Sequence, residues 1–311
     1  MKAGPSIAIV GAGAVGGYYG ARLALHGYDV HFLLRSDYDA WRSRGLQVKS
    51  VAGDFQLPPS RLRAYNDAAA MPKVDLVIVT IKTTENQRLP ALVAPLLKDE
   101  TTILTLQNGL GNEEFLAGHF GAKRIVGGMA FVCINRVSAG VIHHLDHGFV
   151  RVAEFVGAGR SARSEAIAAM LSQSNVNASV VDDLRAARWD KQVWNVPFNG
   201  LGALLDATTD QLIGTSDGER LVLAVMGEVL QAARADDVAL AADAPQRKVH
   251  ATRSMGAYLT STQIDRRLKK PMEIEAIFGQ PVRRARSAGL QLPLLEMLYF
   301  SLRVLDAQKV Q

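Results

Sequence analysis

Residues 6–20 read Ser-Ile-Ala-Ile-Val-Gly-Ala-Gly-Ala-Val-Gly-Gly-Tyr-Tyr-Gly. An apolar run, Ile7 to Val10, feeds straight into Gly11, Gly13 and Gly16, and an alanine-rich helical pattern follows as far as His26. Strand, tight glycine turn and helix start, in that order, form the cradle of a dinucleotide pyrophosphate. Gly11 allows the turn, Gly13 removes the Cβ that would block the phosphates, and Gly16 lets the helix pack close to the strand. The unpaired N–H groups of the first helical turn, from Ala14 and Val15 onward, favour an anionic ligand, and Ala12 lies inside the same turn. The spacing alone is a weak signal. A preceding buried-type strand and a second strand, Asp29 to Leu34, strengthen it.

The end of that second strand chooses between cofactors. An NAD site usually places Asp or Glu there to accept from the ribose 2′-hydroxyl. Here the chain reads His31-Phe32-Leu33-Leu34-Arg35-Ser36. The Arg35 guanidinium suits a 2′-phosphate, with Ser36 as a second donor, so NADPH is the expected cofactor. Asp37 reads as a helix cap for the segment that follows.

Composition sets the frame. The 311 residues fit about two domains, and 48% hydrophobic with 21% charged residues describes a globular chain. Cys133 is the single cysteine, which excludes an internal disulfide and reads as a buried thiol. No signal peptide and no apolar run of membrane-spanning length is visible, so a cytoplasmic location and no membrane partner are expected. The net charge is +5. The basic clusters Arg266-Arg267-Leu268-Lys269-Lys270 and Arg283-Arg284-Ala285-Arg286 come with no nucleic-acid-reading motif and read as solvated helix faces. His143, His144 and His147, with Asp146, fit no common ligand spacing, and no metal is expected.

The first half alternates strand and helix patterns. Val74 to Ile81, Thr101 to Leu106, Arg124 to Val132, Phe149 to Phe155 and Asn177 to Val181 read as strands, with short antiparallel strands around Gly140 and Gly148 and a helix over Ser161 to Ser172. From about Asp182 the texture becomes helical, as in Gly218 to Asp236 and Leu294 to Leu305. The fold class expected is α/β: a Rossmann-type nucleotide-binding domain, 1–181, followed by an all-α C-terminal domain, 182–311.

The helical half contains Trp189-Asp190-Lys191-Gln192-Val193-Trp194-Asn195-Val196-Pro197-Phe198-Asn199. Lys191, Asn195 and Asn199 fall at four-residue steps and draw one polar line along a helix. A lysine and two amides in line suit a carbonyl and a carboxylate; a solvated face gives the same pattern, so periodicity alone does not decide. Pro197 should kink this helix and free a carbonyl.

Taken together, these motifs resemble the ketopantoate reductase family. The matching pieces are Gly11-x-Gly13-x-x-Gly16, Leu34-Arg35, Thr80-Ile81-Lys82, Gln107-Asn108-Gly109, Trp189-x-Lys191-x-x-x-Asn195-x-x-x-Asn199, and Ser261 followed twelve residues later by Glu273. The resemblance implies NADPH-dependent reduction of 2-dehydropantoate to pantoate, a step of pantothenate biosynthesis. Lys191 is then the general acid at the ketone oxygen, its pKa lowered by desolvation beside Trp194. Glu273 is the carboxylate that takes the substrate's hydroxyl, and Asn195, Asn199 and Ser261 hold the substrate, Ser261 by its carboxylate. Lys82 and Asn108 face the nicotinamide edge, Asn108 also beside the reacting carbon.

The departures are Tyr258, where an asparagine is usual, and Thr262, where a methionine is usual. They leave open another 2-oxo acid as substrate, in the manner of a D-2-hydroxyacid dehydrogenase of this fold. A non-catalytic NADP-binding sensor is the alternative of another class, and retention of Lys191, Asn108 and Glu273 argues against it. The resemblance does not fix the oligomeric state; a homodimer through the helical half is the arrangement to test.

Overall fold

The computed structural model of the chain describes residues 4–308, which fall into two compact units. One holds the residues up to Gln107 together with Asn112–Leu184; the other holds Asn108–Gly111 and the residues from Arg185 onward.

The first unit is an α/β layer structure, as the alternating patterns predict. Its strands are β1 (Ser6–Val10), β2 (Asp29–Leu33), β3 (Leu46–Ser50), β4 (Phe55–Leu57), β5 (Arg63–Tyr65), β6 (Val74–Val79), β7 (Leu97–Thr105), β8 (Ile125–Ser138), β9 (Val141–Glu154) and β10 (Ala178–Val180). They form one sheet in the order β4-β3-β9-β8-β7-β6-β1-β2-β5, with β10 against β9. Pairing is parallel throughout except for β3 with β4 and β8 with β9. Helices α1 (Ala14–Leu25), α2 (Tyr38–Arg44), α3 (Leu89–Val93), α4 (Asn112–Phe120) and α5 (Ala162–Gln173) connect them. Ile7, Ala8, Ile9 and Val10 are all fully buried, as a strand covered on both faces requires.

Two local expectations change. The segments read as separate strands near Arg124 to Val132, Gly140, Gly148 and Phe149 to Phe155 belong to one long hairpin, β8 with β9, of 14 residues each. Gly140 turns its tip at φ +79, and Gly148, at φ +110, lies where the register slips between Phe131 and Val132. Polar residues in the distal hairpin hid its length, since only its base is buried on both sides. Asp37 stands at the N-cap of α2 but makes no side-chain cap bond. Its carboxylate accepts instead from Ser36 Oγ, from the Arg136 guanidinium and weakly, at 3.4 Å, from the Gly140 N–H.

The second unit is helical: α6 (Leu184–Leu205), α7 (Thr209–Ile213), α8 (Ser216–Ala235), α9 (Ala244–Thr252), α10 (Ser261–Arg267), a π-turn (Glu275–Gly279), α11 (Gln280–Ser287) and α12 (Pro293–Ala307). Val193, Val196, Phe198, Val225, Phe278 and Leu298 are fully buried at its centre. α6 runs as one continuous helix with Pro197 inside it. Arg267, Arg283, Arg284 and Arg286 from the two basic clusters are engaged by Asp206, Glu275, Asp236 and Glu296. Arg284 is largely buried rather than solvated. Among the described residues no helix is long and apolar enough to cross a membrane.

Candidate active site

In the α/β unit the glycine turn joins β1 to α1. Gly11 sits at φ +98, a conformation that L side chains rarely adopt, and a Cβ there would lie 2.5 Å from the backbone nitrogen of Ile81. Gly16 faces the strand: a Cβ would come within 2.3 Å of Thr80 Oγ1 and 2.7 Å of the Gly11 carbonyl. Gly13 differs. Its missing Cβ would meet nothing nearer than the Gly11 carbonyl at 3.9 Å, so the protein itself sets no steric demand for glycine there. The bare backbone of Gly13, at the N-cap of α1, suits the close approach of a diphosphate, and Ala14 and Val15 open the helix behind it. Thr80, whose motif was legible in the sequence, fastens the turn: its hydroxyl donates to the Gly11 carbonyl at 2.8 Å.

Arg35 follows β2 by two residues, and its side chain is 76% exposed. Its guanidinium lies 3.8 Å from the Glu85 carboxylate, which Arg88 also pairs at 2.8 Å. Arg35 is thus held only loosely, and this counterion gave no sign of itself in the sequence. Lys82 is exposed on the loop after β6, at the start of the 3-10 turn Thr83–Arg88.

The helical unit gathers the remaining residues. Lys191, Asn195 and Asn199 share one face of α6 and are only 6%, 5% and 3% exposed, so the polar line is a buried line rather than a solvated face. Asn108 belongs to this unit because its loop is fastened to the π-turn. The Leu110 N–H donates to the Ala276 carbonyl at 2.9 Å, and Gly109, at φ +87, leaves no room for a Cβ against Ala276. Lys191 Nζ then donates to Asn108 Oδ1 at 2.8 Å. Glu273, 7% exposed, lies just before the same π-turn. Asn199 Oδ1 accepts from Ser261 Oγ and from the Thr262 N–H, both at 3.2 Å, which ties α6 to the first turn of α10. The Thr262 side chain is buried, whereas Tyr258 is half-buried with its backbone fixed to Thr209.

Burial pushes the Lys191 amine down from its ordinary range to about 7; the positive charge of Arg188 adds to this, and the Glu273 carboxylate opposes it. An amine with a pKa near neutrality both carries a proton at physiological pH and gives it up readily. Trp194, expected as the desolvating neighbour, stacks on Phe198 at 4.9 Å and donates from its indole to Thr252 Oγ1.

The sequence reading missed two residues here. Arg188 is 4% exposed one helical turn before Lys191, and extending the polar line by three residues would have found it. Gln192 is 1% exposed, and nothing in its spacing marks it, because it lies beside the line rather than on it. Of the histidines, His144 is committed: Nε2–H donates to the carbonyls of Asp146 and His147, and Nδ1 accepts from Ser50 Oγ at 2.8 Å. Cys133 is buried, at 4% exposure.

A mostly parallel sheet with a glycine turn at its first strand and, in the helical unit, a buried amine among amides and a carboxylate are the features of a Rossmann-class oxidoreductase. The comparisons with known proteins are narrower. The family model described as ketopantoate reductase PanE/ApbA matches residues 7–157, and that of its C-terminal domain matches residues 183–306. A 2-dehydropantoate 2-reductase of Nostoc sp. is 42% identical over 305 residues, 97% of this chain and 95% of that protein. The crystal structure of 2-dehydropantoate 2-reductase from Geobacter metallireducens GS-15 superposes with a TM-score of 0.93 at 45% identity, covering 96% of this chain and 99% of its own. The chain belongs to the ketopantoate reductase family. A D-mandelate dehydrogenase, solved with NADH and anilino(oxo)acetate, shares the fold at 23% identity, with a TM-score of 0.90 over 98% of this chain and all of its own.

Proposed function

We propose that this chain reduces 2-dehydropantoate to pantoate with NADPH, within pantothenate biosynthesis, and that Lys191 is the general acid. The observation that carries the reading is the Lys191 amine, buried, hydrogen-bonded to Asn108 and brought to about 7 on a face shared with Asn195 and Asn199. Gly11 to Gly16 would hold the cofactor's diphosphate, Arg35 its 2′-phosphate, and Lys82 and Asn108 its nicotinamide end. NADPH supplies the hydride that the ketone carbon accepts. The ketone oxygen, as it gains electron density, takes a proton from the Lys191 ammonium, which regains one from solvent. Asn108 Oδ1 orients that ammonium. Glu273 accepts from the substrate's hydroxyl, and Asn195, Asn199 and Ser261 hold its body and carboxylate.

The test is NADPH oxidation by purified protein against 2-dehydropantoate and a panel of other 2-oxo acids. Turnover of 2-dehydropantoate far above the rest supports the reading; preference for another 2-oxo acid replaces it with the second one. Tyr258 motivates that second reading: the resemblance puts an asparagine at this position, and a phenol turned into the site would reshape what it admits.

Arg35 carries the cofactor choice. Arg35→Ala should raise KM for NADPH by about 10- to 100-fold and leave KM for NADH nearly unchanged, since a charge-assisted contact to phosphate is worth about 1.5–3 kcal/mol. Equal losses with both cofactors would remove Arg35 from the 2′-phosphate. A homodimer through the helical unit belongs to the same reading. Met297, Phe300 and Val304 stand 44%, 42% and 59% exposed at helical spacing on α12, an apolar stripe suited to a second copy. Sedimentation of a monomer at micromolar concentration would count against it.

A further inference from the structure

Gln192 is one of the most deeply buried polar side chains of the helical unit, 1% exposed, and it lies outside the line of residues that would touch a substrate. Its hydrogen bonds form a short orienting chain. The Gln192 Nε2 amide donates to the main-chain carbonyl of Ile277, inside the π-turn, at 2.8 Å. A carbonyl can only accept, so this bond fixes which end of the glutamine amide faces the turn. Gln192 Oε1 is thereby turned back toward α6, where it accepts weakly, at 3.4 Å, from Asn195 Nδ2. The orientation of one amide thus sets that of the next, with the Asn195 Nδ2 end toward Gln192 and its Oδ1 turned the other way.

The same π-turn carries the other half of the site. Glu273 lies just before it, and the carbonyl of Ala276, adjacent to Ile277, holds Leu110 and so the loop of Asn108. Gln192 therefore bridges the helix of Lys191 and Asn195 to the turn that places Glu273 and Asn108. A π-turn carries a residue beyond regular α-helical spacing, and such turns recur where a site needs a displaced backbone.

We infer that Gln192 is a positioning residue for the reduction: its amide, anchored on Ile277, fixes the orientation of the Asn195 amide. The inference rests on the reading of this site as that of a 2-oxo acid reductase. A shape-preserving substitution that removes the amide, Gln192→Met, leaves the Ile277 carbonyl unanswered and frees Asn195 to rotate.

The experiment is a double-mutant cycle on the full-length protein with NADPH and 2-dehydropantoate: wild type, Gln192→Met, Asn195→Ala and the double variant, each with a thermal melt. Gln192→Met should lower kcat/KM at least tenfold, and the double variant should fall within about twofold of Asn195→Ala alone, because Gln192 acts through Asn195. Multiplicative losses, or a Gln192→Met enzyme within twofold of wild type, overturn the inference. If Gln192→Met melts below the assay temperature, Gln192→Asn, which keeps the amide but withdraws it by one methylene, carries the same cycle. A wild type silent on 2-dehydropantoate would count against the proposed function and not against Gln192. In that case the side-chain amide of Asn195 decides: slow hydrogen exchange in wild type, lost in Gln192→Met, supports the inference, and fast exchange in both overturns it.

Discussion

Lys191→Met should lower kcat for reduction about a thousandfold and, at the same time, raise the melting temperature. The first effect follows from the proposed role: a positioned general acid contributes about 100- to 10,000-fold, and methionine keeps the length of the side chain without a proton to give. The second follows from burial. The amine has a pKa of about 7 in the folded chain against an ordinary 10.5, chiefly because its charged form is desolvated. Between those values the unfolded chain binds the extra proton, so wild-type stability rises with pH across that window. Below pH 7 the folded chain carries the full cost of the buried ammonium, on the order of 5 kcal/mol. The advantage of the methionine variant should be largest at pH 6 and shrink toward pH 10, as melts at the two ends would reveal. The wild-type reductive rate should decline with rising pH through about 7 as the acid is lost, and the oxidative direction should show the opposite limb. A reductive rate flat from pH 6 to 9, with chemistry limiting, would remove Lys191 from the proton-transfer step.

Gly13→Ala and Gly11→Ala should fail in opposite ways. At Gly13 the added methyl would touch only the Gly11 carbonyl, at 3.9 Å, and φ is −80, so the variant should melt within a few degrees of wild type. NADPH binding should nevertheless weaken by a hundredfold or so, because the methyl occupies the approach of the diphosphate. At Gly11 the backbone is at φ +98 and the methyl would lie 2.5 Å from the Ile81 nitrogen. Strain of roughly 1–3 kcal/mol plus a backbone collision should lower the melting temperature by many degrees, or leave the variant insoluble. Calorimetry with NADPH titration separates the two. A Gly13→Ala protein that binds NADPH normally would show that the cofactor does not pass over this turn.

The readable parts of this molecule share a physical cause. β1 and β6 were visible because a strand covered on both faces must be largely apolar, and α8 and α12 because one face must be apolar at helical spacing. The β8–β9 hairpin was seen in pieces, since its distal half answers to solvent and carries no such pattern. β3, β4 and β5 are three to five residues long and owe their place to neighbouring strands more than to their own composition. The polar line was legible as a spacing, yet spacing alone left Lys191, Asn195 and Asn199 balanced between a solvated face and a site; their burial removes the solvated face.

The glycine turn, the order of an α/β unit before a helical one, and the residue types along the polar line are written in the chain's own residues. Each is a local demand: a φ value, a periodicity, or a functional group that no other side chain supplies. What needed the fold is that the Asn108 loop is fastened to the π-turn at Ala276, that Lys191 reaches Asn108, and that Gln192 reaches Ile277. Those depend on contacts between segments more than 80 residues apart along the chain, and on burial strong enough to change what an amine or an amide does.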